Sequence, residues 1–251
     1  FERSAVEAWL KQSHTGPNLE AALNLPAIIA GSHDPLLDWA LRQSGSGLAG
    51  YFDGSEDGLT RVRGKKAALC ALHIYEEKGW NTNRVSAEFN DLPVVLVEFC
   101  KRERGLIASQ GNPLGIKGLD DIKRRRLARR QEGAAGQKLF EYLLSDAGVN
   151  ADMAFAGQSI ARSESDLALE VKSGRAEAAF GLKSEAVAQN LDFIPIMTER
   201  LDLLVWRKAW FDTAFQKFIN FCEGDIFKDQ AKSLSGYDLS DFGNIHFNAS
   251  H

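Results

Sequence analysis

LPAIIAGSHDPLLDWALRQSG, residues 25 to 45, decides how the rest of the chain is read. The apolar run AIIAGS (27 to 32) reads as a strand, and PLLDWALRQSG (35 to 45) as a helix with Leu36, Leu37, Trp39, Ala40 and Leu41 on one face. Asp34 is a natural N-cap, and proline at the first helical position has no N–H to leave unpaired. A strand therefore turns straight into a helix. In open parallel sheets such junctions, at the carboxyl ends of strands, are where ligands bind.

Outward from that junction the alternation continues. LAGYFD (48 to 53) predicts a strand, SEDGLTRVRG (55 to 64) a short helix, and AALCALHIY (67 to 75) a third strand. EEKGWNTNRVSAEFND (76 to 91) reads as a loop, and VVLVEFCKRERGLIAS (94 to 109) as two β-like runs around the charged KRER. Gly111, Asn112, Pro113 and Gly115 mark a turn-rich break, after which GLDDIKRRRLARRQ (118 to 131) gives a short helix and a strand. GAAGQKLFEYLLSDAGV (133 to 149) is the clearest helix, with Leu139, Phe140, Leu143 and Leu144 on one face. In the second half AFAGQSI (154 to 160) reads as strand, SESDLALEVKSGR (163 to 175) as helix, AEAAFGL (176 to 182) as strand and KSEAVAQN (183 to 190) as helix. DFIPIM and RLDLLVWR (192 to 207) are β-like, and WFDTAFQKFINFCEG (210 to 224) is an amphipathic helix expected to pack into the core, with dimer contact as the alternative for part of its face. This order predicts α/β units around a mostly parallel sheet.

The chain of 251 residues, 44% hydrophobic and 25% charged, can bury one large core or two small ones. A formal net charge of -4 disfavours a nucleic-acid-binding module, whose phosphate contacts need a basic surplus. No run approaches the roughly 18 apolar residues of a membrane span, and FERSAVEAWLKQSH lacks the order of a secretory signal. The chain starts at Phe1, so an upstream signal, tag or domain is expected to have been removed. Cys70, Cys100 and Cys222 read as buried thiols in a reducing cytoplasm.

Three junctions share one chemistry. GSHDP, FDGSEDG and RQEGAAGQ each place small residues where a helix starts, so backbone N–H groups can approach an anion. Simple capping, by Asp34 and by Ser55, is the competing explanation. There is no GxSxG, HExxH, P-loop or GxGxxG. Ser32, His33 and Asp34 are neighbours that point apart at a strand end, so no triad and no enzyme is expected. His14, His246 and His251 stand alone, and no metal site is expected. KRRRLARR (123 to 130) reads as a solvated helix end and strand edge in which Arg130 faces the ligand, without the interleaved aromatics of a single-strand binder. Tyr75 and Trp80 are expected to pack at the mouth of the cleft.

GSHDPLLDWAL, YFDGSEDGL, ALHIYE, RERGLIASQGNPLGIKGLDDI, RQEGAAGQKLFEYLL, SGRAEAAFGL and LSGYDLSDFG occur in this order over about residues 27 to 245. Together they resemble the substrate-binding-protein-like domain of molybdate-related bacterial transcriptional regulators of helix-turn-helix or LysR type, and of molybdopterin-biosynthesis proteins. The resemblance implies an α/β, two-lobed type II periplasmic-binding-protein fold with a ligand cleft and two hinge strands. Lobe 1 would hold residues 24–107 and 204–251, lobe 2 residues 108–203, and residues 1–23 would be the linker from an absent N-terminal DNA-binding domain. It places Ser32 and Ser55 at the lobe 1 hydroxyl positions, flanked by Asp34 and Gly54, and Gly133, Ala134, Ala135 and Gly136 at the lobe 2 helix start, behind Arg130 and Gln131. His33 and His73 are expected at strand ends facing the same cleft.

The implied effector is a molybdate- or tungstate-like oxyanion, held by neutral donors. His33, His73 and Arg130 depart from that pattern and point to a larger ligand, a phosphate-bearing pterin or molybdenum-cofactor-like molecule. No built-in cofactor is expected. The domain is expected to be cytoplasmic and homo-oligomeric, to meet DNA only through the absent domain, and to have no membrane partner. The rival readings are an exported solute-binding protein of an oxyanion ABC transporter and a non-catalytic domain of a molybdopterin-biosynthesis protein.

Overall fold

Strand β1 (Ile28–Gly31) runs into the centre of the molecule and stops at Gly31. Its φ is +99°, and a Cβ there would stand 2.3 Å from the Ala71 carbonyl oxygen, so only glycine lets the chain turn away at this point. The computed structural model describes residues 25 to 249 apart from Lys78, so the expected linker and both His14 and His251 lie outside the described residues.

After β1 come α1 (Pro35–Gln43), β2 (Ala49–Tyr51), α2 (Ser55–Arg63) and β3 (Leu69–Leu72). A small hairpin, β4 (Tyr75–Glu76) and β5 (Gly79–Trp80), leads to α3 (Thr82–Phe89) and the long strand β6 (Val94–Ala108). The second lobe contributes β7 (Arg129–Arg130), α4 (Ala135–Asp146), α5 (Ala151–Ala154), β8 (Ile160–Ala161), α6 (Glu164–Lys172), β9 (Ala178–Leu182) and α7 (Lys183–Ala188). The chain returns along β10 (Asp192–Trp206) to α8 (Arg207–Trp210), α9 (Thr213–Glu223), α10 (Asp225–Ser233), β11 (Tyr237–Asp238) and β12 (Ile245–Asn248).

One sheet runs β11-β6-β10-β3-β1-β2, with β12 and β9 also paired to β6. Only β2, β1 and β3 are mutually parallel in it; β10 is antiparallel to both β3 and β6, so the sheet is mixed rather than mostly parallel. The two long strands cross from one lobe to the other. Buried apolar residues of lobe 1 reach Cys100 on β6 and begin again at Leu201 on β10, while those of lobe 2 begin at Leu106.

Several local expectations are corrected. Residues 76–91 are not a loop: they form the hairpin strands and α3, whose Val85 and Phe89 are fully buried one helical turn apart. KRER and TER do not interrupt β6 and β10, because the backbone ladder continues through Arg102↔Glu199 and Lys101↔Arg200. Pro195 is tolerated in β10 where the register shifts before Met197. Residues 154–160 end a helix and turn before a two-residue strand, β8, instead of forming one strand. Ser55 is the first residue of α2, whose N-cap is Gly54.

Candidate functional site: the interlobe cleft

The three helix starts singled out by sequence differ in one respect. At α1 the Asp34 side chain accepts from the Leu37 N–H at 2.8 Å, so this start is capped from within. α2 and α4 begin at Gly54 and Ala134 without a side-chain cap. Their first N–H groups have no intrahelical partner, and each start carries the positive end of a helix dipole. The two starts face each other: a Cβ on Gly54 would lie 2.7 Å from the Gly133 carbonyl oxygen.

Between them lies a cavity of about 20 Å³, room for a single water. Lobe 1 lines it with Ser32, His33, Phe52, Gly54 and His73, and lobe 2 with Arg130, Gln131, Ala134, Ala135, Gly136, Arg162 and Glu164. Ser55 and Gly133 line an adjoining cavity of about 180 Å³ that shares Ala135 with the first. The Ser32 and Ser55 hydroxyl oxygens are 2.7 Å apart, and Ser55 Oγ accepts from the His73 N–H at 3.4 Å. The fold thus gathers eleven of the twelve sequence candidates around one cleft. Asp34 lies behind the wall, fully buried, its carboxylate shared between the α1 cap and Arg102.

Several polar atoms at the inner cavity are buried without a hydrogen-bond partner: His33 Nδ1, Arg130 Nε and Gln131 Oε1. His73 Nδ1 is 3.3 Å from Glu199 Oε2, outside hydrogen-bond geometry. Buried groups of this kind are costly unless something completes them. The residues that carry them line the same cavity as the uncapped helix starts.

The floor of the cleft is a chain of buried charges that the sequence reading did not assign. Arg102 Nε donates to Glu199 Oε1 at 2.5 Å, and Arg102 Nη1 to Asp34 Oδ2 at 2.5 Å, where the Tyr237 hydroxyl also donates at 2.7 Å. Arg104 Nε donates to Glu199 Oε2 at 2.7 Å and its Nη2 to Glu164 Oε1 at 3.0 Å, which Arg130 Nη1 approaches at 3.0 Å. Burial alone would raise both glutamates, but Arg102 and Arg104 hold Glu199 well below the usual carboxylate range, and Arg104 with Arg130 bring Glu164 down to about 2. Burial lowers the His73 pKa, with Glu199 opposing it, so its imidazole is neutral at pH 7. Three guanidinium groups meet three carboxylates, which leaves the floor formally neutral. An incoming anion is therefore met by helix ends, hydroxyls and imidazoles, and by Arg162, which lines the cavity outside this network. The signal for this network was present as charges at facing positions of two otherwise apolar strands.

Other candidates resolve simply. Arg125 pairs with Glu177 at 3.4 Å and Arg126 at 3.5 Å, leaving Arg130 as the member of the basic run that reaches the cleft. Trp80 packs against the lobe 2 core and touches Tyr75 at 5.4 Å between ring centres. His246 Nε2 lies 2.8 Å from Glu98 Oε2 with Asp202 close by, but Asp202 is already held by Arg200 and Asn81. No helix among the described residues is long and apolar enough to cross a membrane.

Residues 37–223 match the family described as the PBP superfamily domain. YvgK of Bacillus subtilis is 29% identical over 199 residues, 77% of this chain, which spans 64% of that protein's length. Among solved structures, a putative phosphate ABC transporter substrate-binding protein with bound phosphate from Clostridium perfringens superposes with a TM-score of 0.64 at 11% identity, over 85% of this chain and 99% of that one. An H2O2-bound cysteine mutant of OxyR from Corynebacterium glutamicum superposes with a TM-score of 0.56 at 11% identity, over 92% of this chain and 72% of that one. The chain carries the two-lobed fold of these neighbours, and by the family match it belongs to the PBP superfamily domain family.

Proposed function

We propose that this domain binds an oxyanion-bearing ligand between its lobes and serves as the sensor of a cytoplasmic transcriptional regulator. The observation that carries the binding half is the pair of uncapped helix starts, α2 and α4, facing each other over buried polar atoms without partners. A tetrahedral anion is too large for the 20 Å³ cavity, so the lobes part to admit it and close around it less far than they stand here. Ligand contacts made to both lobes at once favour the closed state by their differential affinity. Closure would reposition DNA-binding domains within a dimer or tetramer. The effector is a molybdate- or tungstate-like oxyanion, or a molybdenum-cofactor-related ligand whose anionic group takes the same place.

The likeness to OxyR over most of the chain supports the regulator reading, and the likeness to the phosphate-binding protein supports a second one, an exported solute-binding protein. Binding itself is tested by thermal shift with molybdate, tungstate, sulfate and phosphate, because a ligand of the folded state raises its stability by mass action. A shift with one of them, abolished in Ser32→Ala/Ser55→Ala, is the expected result. An unchanged shift in that double variant refutes the assignment of the two hydroxyls. Ligand-dependent DNA retention by the full-length protein separates the regulator from the exported receptor.

A further inference from the structure

The cleft has two compartments of opposite character. The inner one is small and polar, lined by helix starts, imidazoles and Arg130. The outer one holds about 180 Å³, and its apolar surface comes from both lobes: Ile74 and Tyr75 on one side, Leu139 and Tyr142 on the other. The two tyrosine rings meet across the lobes with centres 5.6 Å apart and planes at 43°. At the rim Lys138 Nζ stands 3.3 Å from Glu56 Oε1, again across the lobes. A bare oxyanion uses none of this surface. A cavity of about 150 Å³ is enough for a benzene ring, so the outer compartment matches one flat ring in size, and its tyrosines supply the faces and edges such a ring packs against.

We propose that the ligand is an oxyanion group joined to one aromatic or heteroaromatic ring, the anion at the starts of α2 and α4 and the ring in the outer compartment, against both Tyr75 and Tyr142. This rests on the reading of the inner cavity as an anion site. The ring fixes which anions are accepted, because Tyr75 and Tyr142 belong to different lobes and a ring packed beside them touches both only when the lobes are together. Lys138 and Glu56 stand where polar substituents on the ring edge would lie.

Tyr75 is 36% exposed and Tyr142 54% exposed, so alanine at either position leaves the core intact. The test is calorimetric titration of the whole chain with inorganic phosphate, molybdate, phenyl phosphate and cyclohexyl phosphate. Phenyl phosphate is expected to bind about ten-fold tighter than inorganic phosphate and tighter than cyclohexyl phosphate, the size of gain two ring contacts supply. In Tyr142→Ala and in Tyr75→Ala the phenyl-to-inorganic ratio is expected to collapse toward one. Binding of phosphate or molybdate with no gain for phenyl phosphate, or a gain that survives both variants, overturns the ring proposal and leaves the anion site standing. Absence of binding by every anion, ringed or not, overturns both.

Discussion

Gly54 and Gly133 touch across the cleft, one from each lobe, with the Gly133 carbonyl oxygen 2.7 Å from where a Cβ on Gly54 would be. Gly54 also has a φ of +95°, a region that residues with a Cβ rarely enter. The close approach of the two lobes and the exposed start of α2 thus depend on one residue having no side chain.

Gly54→Ala is expected to lose both. The backbone at φ +95° and ψ 164° costs a residue with a Cβ about 1–3 kcal/mol in the folded state, and the methyl group holds the lobes apart. Urea unfolding should show the stability loss, and titration with whichever anion binds the parent should show at least a ten-fold weaker affinity. Parent-like values in both measurements would remove Gly54 from the closure argument.

Among the described residues, Glu199 is the carboxylate bonded to both Arg102 and Arg104, at the point where β6 and β10 pass between lobes. Glu199→Gln keeps the shape and removes the charge, leaving Arg104 with Glu164 and Arg102 with Asp34. Breaking a buried pair by removing one partner costs about 3–5 kcal/mol, and a drop of that order in unfolding free energy is expected. A loss under about 1 kcal/mol, the range of exposed pairs, would mean the network contributes specificity only.

Asp34 does two jobs that substitution can separate. Asp34→Asn retains an acceptor for the Leu37 N–H but not the charge facing Arg102, whereas Asp34→Ala loses both. The alanine variant should be the less stable of the two by about 1 kcal/mol, the value of an N-cap. Equal midpoints in chemical unfolding would show that the helix start is satisfied in another way.

Acid should destabilise the domain through its cleft. Glu164 and Glu199 have folded pKa values below the ordinary carboxylate value of about 4.3, so the unfolded chain takes up protons first. Their contribution is fully present above that value and is lost as the pH falls toward the folded value of about 2 for Glu164. His73 acts in the same direction at higher pH: its folded pKa is lowered, so stability falls as the pH drops below about 6.5. Glu185 and Asp202 are raised, chiefly by burial, and oppose this slope; their contribution is present at low pH and lost as the pH rises through their folded values. Urea midpoints at pH 7, 5 and 3 are expected to fall for the parent. Glu164→Gln should flatten the step from pH 5 to 3. A step of the same size in that variant would exclude Glu164 as its source.

Residues 25 to 45 already contain the strand, the turn and the capped helix, because Gly31 permits the turn, Asp34 caps the helix and Pro35 fixes its first φ whatever surrounds them. The small residues before α2 and α4 likewise mark helix starts open to an anion. Which of the three starts stays available was decided by tertiary structure: Asp34 turns inward to its own helix and Arg102, whereas Gly54 and Ala134 have no side chain able to cap. The same holds for the charges in β6 and β10, which read locally as breaks in two strands. Only the antiparallel register, setting Arg102 against Glu199 from residues 97 positions apart, turns them into the floor of a cleft. Local sequence fixes backbone preferences over a few residues; pairing between distant side chains, and the space left between two lobes, exist only after the chain has crossed between them twice.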